Sequence, residues 1–145
     1  MLTQFLYEKD LKELFSKSYV KRPAVLRYQF EASVRAGAID LLTIELVKDE
    51  INICAFEFKL NDIKKVLTQA VANIPFCSKS FAVIPLDKKQ LILDKYLGLI
   101  KSYKYLGIIG INTAGRWEMI HQPRTKPLEE IQFTNEILKL MVDKI

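Results

Sequence analysis

The chain has 145 residues, of which 50% are hydrophobic and 27% are charged. This composition excludes a disordered or collagen-like chain and predicts a single domain over residues 1–145 with its own hydrophobic core. Lys and Arg number 22 against 17 Asp and Glu, and the resulting net charge of +5 favours a polyanionic partner without identifying it. We expect a cytoplasmic protein without a membrane partner, because the apolar runs are too short to span a bilayer and the N-terminal segment becomes charged at Glu8.

The first half of the chain predicts one helix and three strands. Residues 3–17 carry an apolar stripe at helical spacing, formed by Tyr7, Leu11, Leu14, Phe15 and Ser18. Residues 27–35 alternate strictly, as in a half-buried strand, with Tyr28, Phe30, Ala32 and Val34 on one side. Segments 38–47 and 51–60 follow and are rich in residues that favour strands. Short turns at 36–37 and 48–50 precede them. These three strands should form an antiparallel meander.

The second half predicts helices and strands that extend this sheet. Asn61 is a suitable N-cap for a helix whose apolar stripe faces the core, and Pro75 ends this helix. The apolar run at 81–84 predicts a buried strand parallel to the third, and 87–103 predicts a helix weakened by Gly98. Residues 106–111 and 117–121 predict a hairpin, and Pro127 suits the start of a C-terminal helix. The predicted fold is α/β, with a mixed central β-sheet flanked by helices.

Several kinds of chemistry are excluded by counting residues. The two cysteines, Cys54 and Cys77, are far apart, and His121 is the one histidine, so a Cys/His zinc site within one chain is excluded. No nucleophile motif accompanies His121, which we interpret as a polar residue at a strand end. The glycines follow neither a dinucleotide-binding nor a P-loop pattern. Any enzymatic chemistry must therefore come from carboxylates and lysines.

Charged residues interrupt two of the predicted strands. Asp40 lies at the apolar start of the second strand, and Glu57 and Lys59 lie at the end of the third. Side chains two apart on a strand share a face, so Glu57 and Lys59 should point the same way, and the hairpin brings Asp40 beside them. Two carboxylates suit a hard cation such as Mg²⁺, and an ammonium group suits a phosphate or an attacking hydroxide. The simpler interpretation is an exposed ion pair and an aspartate that accepts turn hydrogen bonds.

The sequences GAIDLL, with Asp40, and FEFK, with Glu57 and Lys59, followed by Gln69 on a helix, resemble the PD-(D/E)XK nuclease superfamily. This superfamily includes restriction-type endonucleases and archaeal Holliday-junction resolvases. The resemblance covers roughly residues 1–85 and implies a restriction-endonuclease-like α-β-β-β-α-β core. The sequence departs from the pattern at Ile39, where proline often precedes the aspartate.

The resemblance implies a metal-dependent DNA endonuclease. In that case Asp40, Glu57 and the carbonyl of Phe58 hold Mg²⁺ or Mn²⁺, and Lys59 orients or deprotonates the attacking water. The resemblance adds two further residues: Glu8 as an acid that a helix contributes to the metal site, and Gln69 as a catalytic residue near the metal or phosphate. DNA is the implied partner, and a homodimer that grips both strands is included among the expected assemblies.

Other interpretations remain open at this stage. One alternative is a DNA-binding or assembly module that keeps the nuclease fold without cutting. Another is an unrelated α/β domain with a coincidental Glu-x-Lys. Glu8 is equally well explained as a solvated flank of its helix, whereas we interpret Glu31 as an exposed strand residue. The dispersed lysines either line a phosphate track or maintain solubility.

Overall fold

A mixed β-sheet forms the centre of the molecule in a computed structural model that describes residues 4–35 and 37–143. Within these residues the sheet has six strands, which lie side by side in their chain order. They are β1 (Val25–Arg35), β2 (Gly37–Val47), β3 (Glu50–Phe58), β4 (Lys79–Pro85), β5 (Leu106–Ile111) and β6 (Trp117–His121). The helices are α1 (Glu8–Tyr19), α2 (Ile63–Asn73), α3 (a helical segment at 86–101) and α4 (Thr134–Asp143). The predicted α/β class with a mixed sheet is confirmed.

The strand pairings follow from the lengths of the connections. β1, β2 and β3 pair antiparallel in a meander, and at the β2–β3 turn Lys48 and Asp49 adopt positive φ values of 50° and 65°. The β3–β4 and β4–β5 pairs are parallel because helices connect these strands. β5 and β6 form the predicted antiparallel hairpin with the expected bounds. Of the predicted turn at 36–37, residue 36 lies outside the described residues.

Helices cover both faces of the sheet. On one face, Leu11 and Phe15 of α1 pack in a cluster with Leu41, Phe56 and other buried residues of β2–β5. On the other face, α2 packs over β4 and β5, and α4 packs over β1–β3. Among the described residues, no helix is both long enough and apolar enough to cross a membrane.

Several helix ends differ from the predictions. The predicted first residue of α1, Thr3, lies outside the described residues, and α1 begins at Glu8, so Tyr7 is its exposed N-cap. Asn61 is wrong as the N-cap of α2, because the side chain of Asp62 accepts the hydrogen bond from the Lys65 amide. The buried stripe of α1 is Leu11, Phe15, Ser16 and Tyr19, whereas Ser18 is exposed.

The C-terminal helix and α3 also depart from a continuous helix. The predicted start at Pro127 is wrong, because only a 3₁₀ turn forms at Leu128–Glu130 before the chain extends at Ile131. Phe133 then adopts φ +58°, which helical geometry does not allow, and α4 begins at Thr134. In α3, a π-helical turn at Ile92–Tyr96 separates two short α-helical pieces.

The regular alternation of the meander breaks at Glu31. This residue has φ +51°, a backbone conformation that non-glycine residues rarely adopt. Phe30 pairs with Leu41, which packs in the α1 cluster, whereas Ala32 and its partner Ile39 pack in the α4 cluster on the opposite face. The side-chain direction therefore changes at the position of Glu31 and of Asp40 on the neighbouring strand.

Candidate active site

Asp40 and Glu57 lie beside each other where β2 starts and β3 ends. Leu41, which follows Asp40, pairs with Phe56, which precedes Glu57. The two carboxylate residues therefore lie at neighbouring positions on adjacent strands. The Asp40 amide donates a 3.4 Å hydrogen bond to Glu57 Oε2, and the Phe58 amide donates a 3.0 Å bond to Asp40 Oδ2. Each carboxylate is thus held by the main chain of the opposite strand. The backbone of Phe58 is part of the same arrangement.

Glu57 is also held by two side chains from other elements. Asn73, the last residue of α2, donates a 2.8 Å hydrogen bond from Nδ2 to Glu57 Oε2, and the Arg35 guanidinium lies 3.4 Å from the same oxygen. The Arg35 Nε donates in turn to Asn73 Oδ1. The Glu57 side chain is only 1% exposed, so these donors replace the water that a carboxylate requires. The other oxygen, Oε1, accepts none of these bonds.

The environment raises the pKa of both carboxyls. For Glu57 the pKa rises to about 7, because burial disfavours the charged form and the Asp40 charge adds to this, against the hydrogen bond from Asn73 and the charge of Arg35. The pKa of Asp40 is raised by burial and by the charges of Glu31 and Glu8, against the Phe58 amide and Lys12. A cation between the two carboxylates would relieve both effects.

Helix α1 supplies two charged side chains to the rim of this site. Lys59 Nζ lies 3.1 Å from Glu8 Oε1, and Lys12 Nζ lies 2.6 Å from Glu31 Oε1. Glu57 and Lys59 thus contact helices on opposite faces of the sheet, whereas alternation predicted one common side. The difference arises because β3 ends at Phe58. Beyond that residue, strand periodicity no longer determines where Lys59 points.

Glu8, Gln69 and Glu31 are the remaining residues that the sequence singled out. Glu8 lies near the site, because it pairs with Lys59 and its charge acts on Asp40. Gln69 is half-buried on α2, and its Oε1 is buried without a hydrogen-bond partner among the described residues. Asn73, one turn further along α2, is the residue that contacts Glu57. Glu31 is exposed, as its simpler interpretation required, although it also borders Asp40.

Sequence reasoning missed Asn73, Arg35 and Lys12. Asn73 continues the i, i+3, i+4 stripe of Val66 and Ala70, and it is fully buried. A polar residue on the core face of a helix is a signal that it needs a partner, so this contact was open to prediction. No comparable signal marked Arg35, whose contact with Glu57 depends on how the meander folds.

The donor set fits a hard divalent cation. No group of three His, Cys, Asp or Glu side chains that would hold a metal occurs in the described ranges. Mg²⁺, however, is commonly bound through one or two carboxylates and several waters. Asp40 and Glu57 supply two neighbouring carboxylates, which matches that number.

Comparisons with known proteins give no family assignment for this chain. No protein-family model matches the sequence, and no curated protein matches it significantly.

Proposed function

We propose that the protein is a metal-dependent nuclease that hydrolyses phosphodiester bonds in DNA, as a compact member of the PD-(D/E)XK superfamily. The observation that carries the proposal is the pair of neighbouring carboxylates, Asp40 and Glu57, each of which accepts a hydrogen bond from the main chain of the opposite strand. Lys59 follows directly after the end of β3. The order α1, β1–β3, α2 and β4 supports it, since this is the α-β-β-β-α-β order expected of a restriction-endonuclease-like core. The net charge of +5 favours approach to a phosphate backbone.

Each residue has a chemical task in this proposal. Asp40, Glu57 and the Phe58 carbonyl hold Mg²⁺ or Mn²⁺, which supplies Lewis-acid polarisation of the scissile phosphate when bound. Asn73 and Arg35 hold Glu57 Oε2 in place, which leaves its other oxygen for the cation. Once the Lys59 ammonium separates from Glu8, it stabilises negative charge on the attacking water or on the phosphate. Gln69 lies on α2 one turn before Asn73, and in this proposal it acts near the metal or the phosphate, as the resemblance implies.

A second candidate, a DNA-binding module that does not cut, is favoured by one observation. Arg35 already lies against Glu57, and Lys59 is already paired with Glu8. The charges of the site are therefore partly balanced without a cation. Such a module requires neither Mg²⁺ nor the carboxylate of Asp40.

A cleavage assay separates these candidates. Purified protein is incubated with branched, single-stranded and duplex DNA in Mg²⁺, in Mn²⁺ and in excess chelator. We expect strand cleavage that requires the metal and disappears in Asp40→Ala and Glu57→Gln. Glu118→Gln is the matched control, because Glu118 is an exposed carboxylate on β6 that pairs with Lys89. Cleavage in chelator, or its absence from every substrate in both metals, would overturn the proposal.

A further inference from the structure

A basic groove lies between α1 and the edge strand β1, on the same face of the sheet as α1. We call it the α1–β1 groove; it encloses about 750 Å³. Its walls are lined by Lys9, Lys12, Lys17 and Lys21 from α1 and the following turn, and by Tyr28 and Phe30 from β1. Glu13 is the acidic residue among the lining side chains. The groove is therefore strongly positive for its size.

The two aromatic rings of the groove are exposed to solvent. Tyr28 is 45% exposed and Phe30 is 41% exposed, although the alternation predicted a half-buried strand with these residues on its apolar side. Their rings lie 5.9 Å apart at 73°, so each ring leaves one face uncovered by the other. Exposed aromatic rings two residues apart on a strand, beside lysines, provide stacking surfaces for bases and positive charge for phosphates.

Three of the four lysines of the groove have no ion-pair partner among the described residues. Within the described part of the chain, Lys9, Lys17 and Lys21 form no ion pair, whereas Lys12 pairs with Glu31. The floor contains a further polar group, the hydroxyl of Ser16, which is 2% exposed and has no hydrogen-bond partner among the described residues. A buried hydroxyl without a partner is costly unless a ligand or water satisfies it.

Lys12 joins the groove to the candidate active site. Its ammonium lies 5.5 Å from the centre of the Phe30 ring and 2.6 Å from Glu31. Glu31 lies between Phe30 and Ala32, whose partners on β2 are Leu41 and Ile39, so it lies opposite Asp40 on the neighbouring strand. A polymer that follows the lysines along the groove would therefore arrive beside Asp40.

We propose that the α1–β1 groove binds single-stranded nucleic acid, with bases stacked on Tyr28 and Phe30 and phosphates paired with the lysines of α1. A duplex keeps its bases stacked inside and offers the rings only its backbone, so the groove should distinguish the two forms. Delivery of the strand to Asp40 and Glu57 rests on the proposed function, whereas the binding itself does not.

The test measures binding without cleavage. The full chain is titrated in chelator against a fluorescein-labelled oligothymidylate of about 15 nucleotides, with a blunt duplex and heparin as competitors. We expect tighter binding to the single strand than to the duplex. Tyr28→Ala and Phe30→Ala should each weaken single-strand binding by about 5- to 150-fold, which corresponds to one lost stacked base, while heparin binding is unchanged. Phe30→Trp should preserve it.

Matched controls separate stacking and local charge from general effects. Tyr103→Ala removes a ring that is 38% exposed outside the groove and should leave binding unchanged. Lys17→Gln and Lys21→Gln should each reduce the slope of log K against log salt by about 0.7 for one lost phosphate contact on a single strand. Lys101→Gln removes the same charge from exposed α3 and should have no such effect.

Three results would overturn the inference. The first is ring variants that bind the oligothymidylate like the parent protein, and the second is ring variants that lose heparin and single-strand binding equally. The third is a dimer, detected by sedimentation, that Phe30→Ala dissociates, because a second copy then occupies the edge strand. A chain that binds as expected but never cuts in Mg²⁺ would retain this inference and lose the proposed function.

Discussion

Asn73, the last residue of α2, donates a 2.8 Å hydrogen bond to the carboxylate of Glu57 at the end of β3. The helix that connects two parallel strands thus also holds the second carboxylate of the candidate site. Because Glu57 is almost fully buried, its protonation should be coupled to the stability of the whole fold.

The first prediction concerns pH. The pKa of Glu57 rises from 4.5 to about 7 on folding, so the folded state binds more protons than the unfolded state between these values. Protonated Glu57 thus makes a stabilising contribution to the free energy of unfolding, on the order of 3 kcal/mol. This contribution is fully present below pH 4.5 and is lost as the pH rises through about 7. The Tm of the metal-free protein should therefore fall over this window, and Glu57→Gln should flatten the fall.

Two controls accompany this measurement. Mg²⁺ should raise the Tm of the parent more at the alkaline end, where Glu57 is ionised, and should not do so in Glu57→Gln. Glu118→Gln, an exposed substitution, should retain the parent's pH dependence. A parent protein whose Tm rises through this range would contradict the assigned burial of Glu57.

The second prediction separates charge from chemistry. In chelator, Asp40 repels an approaching phosphate, so Asp40→Ala should bind DNA as well as or better than the parent while it loses cleavage in Mg²⁺. Lys59→Ala should lose cleavage and bind more weakly, with a salt slope smaller by up to about one unit. Gel-shift titrations at several salt concentrations, paired with nicking assays, provide both measurements. Equal affinities for parent and variants would count against a phosphate at this site.

The third prediction concerns Asn73. Asn73→Ala removes the hydrogen bond to Glu57 and the acceptor for Arg35, so the buried carboxylate of Glu57 loses one of its donors. We expect a loss of about 1–3 kcal/mol in the free energy of unfolding, measured by urea denaturation. Gln122→Ala, at an exposed position after β6, should change it by less than about 0.5 kcal/mol. An equal effect of both substitutions would remove the role assigned to Asn73.

The fourth prediction concerns the histidine. His121 is the last residue of β6 and pairs with Ile108, and the proposed mechanism assigns no task to its imidazole. His121→Ala should therefore leave nuclease turnover nearly unchanged. A loss of more than about tenfold in a variant with parent-like circular dichroism would show that the imidazole has a general-base role.

The sequence by itself determined the class and order of the elements, because periods of 2.0 and 3.6 residues report locally on which side of an element is apolar. The β5–β6 hairpin was predicted at its observed bounds, and the parallel strand β4 followed from the helix before it. Asp40 and Glu57 were recognisable because charge interrupted apolar strands, and the antiparallel meander brings them together.

Only the tertiary structure decided which partners these residues have. Asn73 and Arg35 reach Glu57, and Glu8 reaches Lys59, through contacts between elements distant in the chain. Periodicity also predicted an apolar side for β1 without showing whether anything covers it. Tyr28 and Phe30 remain exposed because the buried residues of α1 pack on the inner strands and β1 lies at the edge of the sheet. Local patterns specify faces, whereas the packing of distant elements specifies what each face meets.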